Sequence, residues 1–294
     1  MASSFLIFLK TQWRNTVYSN IWIALCAAMF CWQGEILVAG ESEWTLPCFT
    51  FFATVFLYNF QRAVKFSAEK KRVAGRNHWM FRNRRAIWLW VVVSGICTFF
   101  LLWKLPARDW VVLAIAGLIS VAYVTPVLSW QGKRLDLREI PGLKLPLIAI
   151  SWVITGVIFP WGHHQGNMWL CADVVTVIAA EKLLFIAAIT IPFDIRDLPF
   201  DRPHMRTIPQ LLGARKATVV AIVLALLAAG LSGYQLAISL IEPTQLAALL
   251  SSYLITVLLL FMSFRKQEEL YYTGWLDATI FIQAISFILA SYMN

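Results

Sequence analysis

Three aspartates follow a long apolar stretch of the sequence at helical spacing. Asp194, Asp197 and Asp201 stand at positions i, i+3 and i+7, directly after the apolar run that ends at Pro192. On a helical extension of that run they share one face, with Asp194 and Asp197 about one turn apart. Carboxylates at this spacing can bind Mg²⁺, which keeps several of its waters and bridges carboxylates to the phosphate oxygens of a substrate.

Two arginines alternate with these aspartates. Arg196 and Arg202 can bind the same phosphates through their planar guanidinium groups. The alternative is a solvated loop in which the Asp and Arg side chains pair with each other. The segment borders an apolar span, where charged groups are costly and tend to mark ligand sites, and this position favours a binding site.

The aspartate segment resembles the second aspartate-rich motif of the UbiA superfamily of intramembrane prenyltransferases. The run from Asp194 to Arg202 is followed by Arg206-Thr207-Ile208 and by Leu211-Leu212-Gly213, similar to the tail of that motif. A second similarity lies earlier in the chain, where Tyr123-Val-Thr-Pro126 followed by Lys133 and Arg134 resembles the family's Tyr-Ser-x-Pro-Pro loop and its lysine.

The resemblance implies a mechanism, a cofactor and partners. Mg²⁺ would hold a polyprenyl diphosphate, the allylic C–O bond would ionise, and the cation would alkylate a hydrophobic acceptor, aromatic or lipid. It also implies roles for residues of this chain. The implied metal ligands are Asp194, Asp197 and Asp201, the implied catalytic residues are Asp194, Asp197 and Tyr123, and the implied diphosphate contacts are Lys133, Arg134, Arg196 and Arg202.

The first aspartate motif of the family is altered in this sequence. Where relatives carry Asn-Asp-x-x-Asp-x-x-x-Asp, this chain reads Asn-Phe-Gln-Arg-Ala-Val-Lys-Phe-Ser over residues 59–67. One explanation is that Arg62 and Lys65, beside Asn59, clamp the diphosphate directly in place of one metal. The other is that catalysis has been lost and that Arg62 pairs with Asp194 or Asp197 across the bundle.

Two further groups of charged residues carry weaker signals. The basic stretch from Lys70 to Arg85 is expected to face lipid headgroups, with a lid over the diphosphate as the alternative, and it is assigned no catalytic role. Glu181 and Lys182 stand in the middle of an apolar span, where ionisable groups are expensive. As sequence neighbours they are expected to point to different faces of their helix, one towards the pocket and the other towards the membrane surface.

The elements that position these residues are membrane helices. Of the 294 residues, 60% are hydrophobic and 14% are charged, whereas soluble domains carry roughly 25% charged residues. Apolar runs about as long as the ~20 residues needed to cross a bilayer recur along the chain. We predict an all-α integral membrane domain over residues 1–294, with two related four-helix halves and a ninth helix. The nine predicted spans are 21–38, 46–60, 86–103, 110–127, 145–159, 174–192, 218–241, 244–264 and 275–292.

The distribution of positive charge predicts the orientation. A cytoplasmic N-terminus places most of the 25 Lys and Arg residues in inner loops, as the positive-inside rule requires, and nine spans then leave the C-terminus outside. We expect a multi-pass protein of a bacterial inner membrane. The net charge of +9 lies beside the membrane, so anionic lipids and a phosphorylated ligand are the expected partners, and nucleic acid is not.

The sequence leaves three functions open. The first is prenyl transfer from a polyprenyl diphosphate to an aromatic or lipid acceptor. The second is a terpene cyclase of the same fold, in which the cation is captured within its own chain. The third is a non-catalytic relative that binds a prenyl lipid or a quinone, and the altered first motif favours it most directly.

Overall fold

The computed structural model describes residues 2–68, 76–125, 128–130, 133–164, 172–265 and 267–293. Nearly all of these residues are helical. Besides turns and short connections, the described residues include a two-stranded antiparallel hairpin of β1 (Leu128–Trp130) and β2 (Lys133–Leu135), in which Leu128 pairs with Leu135. The predicted all-α class therefore holds for the membrane helices, and one loop departs from it.

The helices follow one another with short connections. They are α1 (Ala2–Tyr18), α2 (Ile21–Ala39), α3 (Thr45–Ala68), α4 (Arg76–Arg82), α5 (Arg84–Lys104), α6 (Ala107–Val124), α7 (Lys144–Val153), α8 (Phe159–His163), α9 (Ala172–Asp197), α10 (Ile208–Leu212), α11 (Ala214–Ala237), α12 (Pro243–Met262) and α13 (Asp277–Tyr292). A π-helical turn at Ile154–Ile158 joins α7 to α8, and another at Tyr271–Leu276 leads into α13.

Each of the nine predicted spans falls on one of these helical segments, but the count of nine is not confirmed. Within the described residues, seven segments are long and apolar enough to cross a membrane: α2, α5, α7 with α8, α9, α11, α12 and α13 with its π-helical turn. The predicted spans on α3 and α6 are not among the seven. Nine spans and their division into two related halves therefore stay predictions.

Helix α9 is held in the bundle by small residues on a neighbouring helix. Ala217, Ala221, Ala225 and Ala228 of α11 are fully buried, and their spacing of four, four and three places them on one helical face. Small side chains let membrane helices approach closely, and α11 packs along α9. The end of α9 that carries Asp194 and Asp197 is thereby fixed.

Helix α2 packs closely against the continuous helical segment of α7, the π-helical turn and α8. A Cβ atom on Gly34 would collide with the Gly156 carbonyl oxygen, and one on Gly156 would collide with the Phe30 ring. Glycine is therefore required at both positions for the backbones to approach this closely.

The loop before α7 brings that helix to the end of α9. Gly142 has φ +72°, a conformation that favours glycine, and its N–H donates to the Met205 carbonyl oxygen at 2.8 Å. This bond ties the beginning of α7 to the segment that follows Asp201. As a result Lys144, the first residue of α7, reaches the aspartates.

Candidate active site

A cavity of about 720 Å³ opens between the helix ends that carry the predicted site residues. Its lining has two parts. One part is charged and lies near the ends of α3 and α9 and the beginnings of α4, α7 and α13. The other part is apolar and lies between the helices, where it is formed by Ile23, Leu147, Ile148, Trp152, Ile186, Ile189 and Ile280.

The three predicted aspartates meet in this cavity around a lysine. Helix α9 continues to Asp197, as expected, and ends before Pro199. Asp201 is brought back in the following turn, where its N–H donates to the Asp197 carbonyl oxygen at 2.9 Å. The Lys144 Nζ atom lies 2.9 Å from Asp194 Oδ1, 3.5 Å from Asp197 Oδ2 and 2.9 Å from Asp201 Oδ2. We call Asp194, Asp197 and Asp201 the aspartate cluster.

Helix electrostatics account for a cation at this point. Asp194 and Asp197 lie in the last turn of α9, where the carbonyl ends give the helix a partial negative charge that favours cations and disfavours carboxylates. Asp194 is also only 1% exposed, and a buried carboxylate is costly unless it is paired. The Lys144 ammonium supplies that pairing for all three carboxylates.

These residues do not fit the Mg²⁺ expected from the sequence. A metal bridging the aspartate cluster would have to take the position of the Lys144 ammonium, and a divalent cation next to that ammonium would be repelled. Within the described ranges, no group of three His, Cys, Asp or Glu side chains is arranged to hold a metal ion. Both Asp194 carboxylate oxygens are buried without a hydrogen-bond partner among those ranges, but the Lys144 ammonium already lies 2.9 Å from Oδ1, and the one oxygen left is not a metal site.

Two arginines form another part of the charged lining. Arg62 of α3 lines the cavity, as its proposed role in diphosphate binding requires, and one of its contacts runs from Nη1 to Met80 Sδ at 3.7 Å. Arg76, the first residue of α4, lines the cavity as well and is only 7% exposed. We call Arg62 and Arg76 the arginine pair.

Arg76 is charged, buried and incompletely partnered. Its Nη2 donates to the carbonyl oxygen of Val17 at 3.2 Å and to Asn20 Oδ1, both neutral acceptors. Its Nε is buried and has no hydrogen-bond partner among the described residues. Burial and, after it, the neighbouring charge of Arg62 lower the pKa of the guanidinium to about 9, while Glu269 and Asp277 oppose the change. An anion placed here would meet an unsatisfied donor and two adjacent positive charges.

The remaining predicted arginines lie at the cavity with carboxylates of their own. Arg196 Nε contacts Asp197 Oδ1 at 2.8 Å, and its guanidinium stacks against the rings of Phe193 and Tyr272. Arg202 Nη1 contacts Glu139 Oε2 at 3.1 Å at the exposed rim. The alternative of Asp–Arg pairing is thus seen for Arg196, within a binding cavity rather than a solvated loop.

Asn59 does not line the cavity. It is fully buried, accepts a hydrogen bond from Asn20 Nδ2 at 2.8 Å and donates to the carbonyl oxygens of Ser19 and Val55, each at 3.0 Å. Asn20 also accepts a hydrogen bond from Arg76, so Asn59 holds the residue that positions the Arg76 guanidinium. Asn59 is absent from the cavity wall formed by the described residues, and its direct contact with a diphosphate stays a prediction.

Tyr123 lines the cavity beside Lys144 and Asp194. The side chains of Lys65, Lys133 and Arg134 lie outside the described part of the structure, as do residues 69–75 of the basic stretch. The same basic stretch contains Arg76, so the expectation that all of it faces lipid headgroups was wrong at that residue.

The mid-span pair is also arranged differently from expectation. Glu181 and Lys182 are both fully buried, and Lys182 Nζ lies 3.2 Å from Glu181 Oε2. Lys182 also donates to Gln283 Oε1 at 2.9 Å, and the Tyr253 hydroxyl donates to Glu181. Neither side chain reaches the membrane surface, because each finds its partners inside the bundle.

The chain shares its architecture with solved structures. A UbiA homologue from Archaeoglobus fulgidus bound to GPP and Mg²⁺ is 13% identical, with a TM-score of 0.59 over 95% of this chain and 98% of that one. A digeranylgeranylglyceryl phosphate synthase is 14% identical, with a TM-score of 0.56 over 96% and 99%. An apo UbiA homologue from Aeropyrum pernix K1 is 15% identical, with a TM-score of 0.54 over 95% and 96%.

The chain has the UbiA fold. No protein-family profile matches the sequence, and no curated protein matches it either. The UbiA fold and the seven long apolar helices indicate an integral membrane protein.

Two cations of the cavity, Lys144 and Arg76, are not predicted from the sequence. Lys144 ends a basic loop, and its position next to an apolar run is itself a signal of function. Arg76 stands among neighbouring basic residues, which give no such signal. Glu269 and Asp277 also line the cavity and are not predicted either.

Proposed function

We propose that this protein is an intramembrane prenyltransferase of the UbiA superfamily, which moves an isoprenoid from a polyprenyl diphosphate to an aromatic or lipid acceptor. One observation carries the proposal: a single cavity has a charged part at the helix ends and an apolar part between the helices. A prenyl diphosphate has the same division between an anionic head and a hydrocarbon chain. The relative from Archaeoglobus fulgidus, bound to GPP, supports this choice of ligand.

The described residues suit the departure of diphosphate. When the bond between C1 and oxygen breaks, its electron pair leaves with the diphosphate, and the arginine pair and Arg196 stabilise that charge. The apolar wall excludes water from the allylic cation. The acceptor then forms a bond to C1 and loses a proton to solvent. Tyr123 is proposed to stabilise the cation through its ring.

The proposal includes an orientation. We place the charged part of the cavity at the cytoplasmic face of a bacterial inner membrane, with the N-terminus inside and the C-terminus outside. The positive-inside rule supports this, because the basic loops adjoin the same helix ends as the aspartate cluster. The whole chain is proposed to act as one domain.

A specific observation favours a second candidate, a non-catalytic protein that binds a prenyl lipid. Lys144 occupies the centre of the aspartate cluster that the family resemblance assigns to Mg²⁺. Without a metal, ionisation of the C–O bond rests on guanidinium groups alone. Such a site retains affinity for a diphosphate even where its turnover is lost.

The test is a turnover assay on purified protein in lipid nanodiscs. Geranyl, farnesyl and geranylgeranyl diphosphates are supplied with and without a panel of phenolic and lipid acceptors, once with Mg²⁺ and once with EDTA. Released diphosphate and prenylated product are measured together. Acceptor-dependent release supports the transferase.

The controls separate the alternatives. Release without an acceptor, with a cyclic product, identifies the cyclase, and donor binding without release identifies the non-catalytic protein. Asp194→Asn is the site variant, and Arg82→Met, an exposed cation of α4, is its matched control. If no donor binds or reacts under either metal condition, the proposed function is wrong.

A further inference from the structure

We propose that Lys144 is the built-in cation of the aspartate cluster, and that this protein binds the diphosphate of its donor without a divalent metal, through Arg76 and Arg62. This inference rests on the proposed function for its ligand. It assigns new roles to two residues, Lys144 as a positioning residue and Arg76 as an anion ligand.

The Lys144 ammonium already occupies the centre of the aspartate cluster. A divalent ion bridges carboxylates by lying between their oxygens. The Lys144 ammonium lies there already, within 3.5 Å of an oxygen from each of the three carboxylates. Its side chain is only 11% exposed, so the surrounding residues restrict its movement away from the cluster.

Positive and negative side chains line the cavity in equal number among the described residues. Among the described residues, six cationic and six acidic side chains line it. The cationic ones are Arg62, Arg76, Arg138, Lys144, Arg196 and Arg202, and the acidic ones are Glu139, Asp194, Asp197, Asp201, Glu269 and Asp277. The carboxylates are therefore balanced by the chain's own side chains, and no excess of negative charge is left to recruit a metal ion.

The contacts of the cationic side chains indicate where the diphosphate would bind. Cations that contact a carboxylate are already partly neutralised, as Lys144, Arg196 and Arg202 are. Arg76 differs, because in the described residues its guanidinium donates only to neutral oxygens, lies over the Tyr18 ring, and keeps a buried Nε–H without a hydrogen-bond partner. A phosphate oxygen satisfies that donor, and a guanidinium binds phosphate in a bidentate, directional way.

Arg76 is held in place by hydrogen bonds to its side chain and to its backbone. Asn20 holds Nη2, and Asn20 is itself held by Asn59 of α3, the helix that carries Arg62. The backbone N–H of Arg76 donates to Glu269 Oε2 at 3.3 Å. The arginine is thus fixed from three elements before any ligand binds, which lowers the entropy cost of binding.

The inference is tested on the full-length protein in nanodiscs, by measuring farnesyl diphosphate affinity in EDTA and in Mg²⁺. Wild-type protein should bind the donor equally well in both, and a wild-type requirement for Mg²⁺ overturns the inference. Arg76→Met should weaken binding in EDTA by tenfold or more, since a hydrogen bond to a charged group contributes roughly 1.5–3 kcal/mol. Arg82→Met should not change it.

A second measurement uses Mn²⁺ alone and needs no donor. By electron paramagnetic resonance, wild-type protein should bind no Mn²⁺ at this site, whereas Lys144→Met, which frees three carboxylates, should bind one ion. Lys216→Met, an exposed lysine of α11, is the matched control. Mn²⁺ on the wild type that Asp194→Asn removes contradicts the inference, and so does a folded Lys144→Met that gains none.

The two measurements separate the failures. If no donor binds in either condition, the proposed function fails, and the Mn²⁺ result still decides the role of Lys144. If Lys144→Met does not fold, Lys144→Gln replaces it, and the wild-type Mn²⁺ result alone can still overturn the inference.

Discussion

The ammonium of Lys144 lies 2.9 Å from Asp194 Oδ1, although the two residues are fifty positions apart on α7 and α9. The Gly142 turn and its bond to Met205 bring the two helix ends together. The contact joins a lysine beside a basic loop to the only fully buried carboxylate of the aspartate cluster. The contact places a cation between the carboxylates at the charged part of the cavity.

Removing one partner of this contact should destabilise the protein. Lys144→Met leaves Asp194 buried without its cation, and breaking a buried ion pair costs about 3–5 kcal/mol. Asp194→Asn on top of Lys144→Met should restore part of the loss, because no buried charge then remains at that position. Thermal unfolding of the two single variants and the double variant gives the coupling energy. Purely additive losses would show that the two side chains do not interact.

Breaking the buried pair of Glu181 and Lys182, in the middle of a predicted span, should also lower the stability of the protein. Among the described residues, Lys182→Met leaves Glu181 with only the Tyr253 hydroxyl, so we expect a loss of roughly 3 kcal/mol without any change in the site's ligand preference. Glu181→Gln combined with Lys182→Met should recover stability. Unfolding and donor affinity are measured on the same samples. A changed preference among donors, in a variant that remains folded, would place this pair in the binding pathway.

The apolar wall should determine the length of the bound chain. Ile186 lies eight residues before Asp194 on α9 and therefore about 12 Å further along the helix, and it lines the cavity. Ile186→Trp should weaken geranylgeranyl diphosphate binding more than geranyl diphosphate binding, because the added ring fills the space of the longer chain. The control is Val223→Trp, which alters an exposed position of α11. Equal weakening of both donors would mean that the chain lies elsewhere.

Some of the site could be predicted because it follows from local pattern. The spacing of Asp194 and Asp197 predicted one helical face, and α9 does continue to Asp197. Hydropathy placed a helix at every predicted span. The count of nine is a different matter, because α3 and α6 are not among the seven segments that, within the described residues, are long and apolar enough to cross a membrane.

The rest of the site depends on contacts between distant parts of the chain. No local pattern reveals that Lys144 reaches Asp201, because that contact depends on how α7 and α9 pack and on the turn at Gly142. Arg76 looked like one more basic loop residue, and its burial depends on Asn20, Val17 and Glu269. The departure from the family's first motif was visible in the sequence, but the positions of Lys144 and Arg76 in the cavity wall were not.

The central claim is that this cavity recognises the diphosphate head of a prenyl lipid. The most direct measurement compares equilibrium affinities for geranylgeranyl diphosphate and for geranylgeraniol, which lacks the head, in wild-type protein and in Arg76→Met. The account predicts that the wild type prefers the diphosphate by tenfold or more and that Arg76→Met loses most of that preference while still binding the alcohol. Equal affinity of the wild type for diphosphate and alcohol would contradict it.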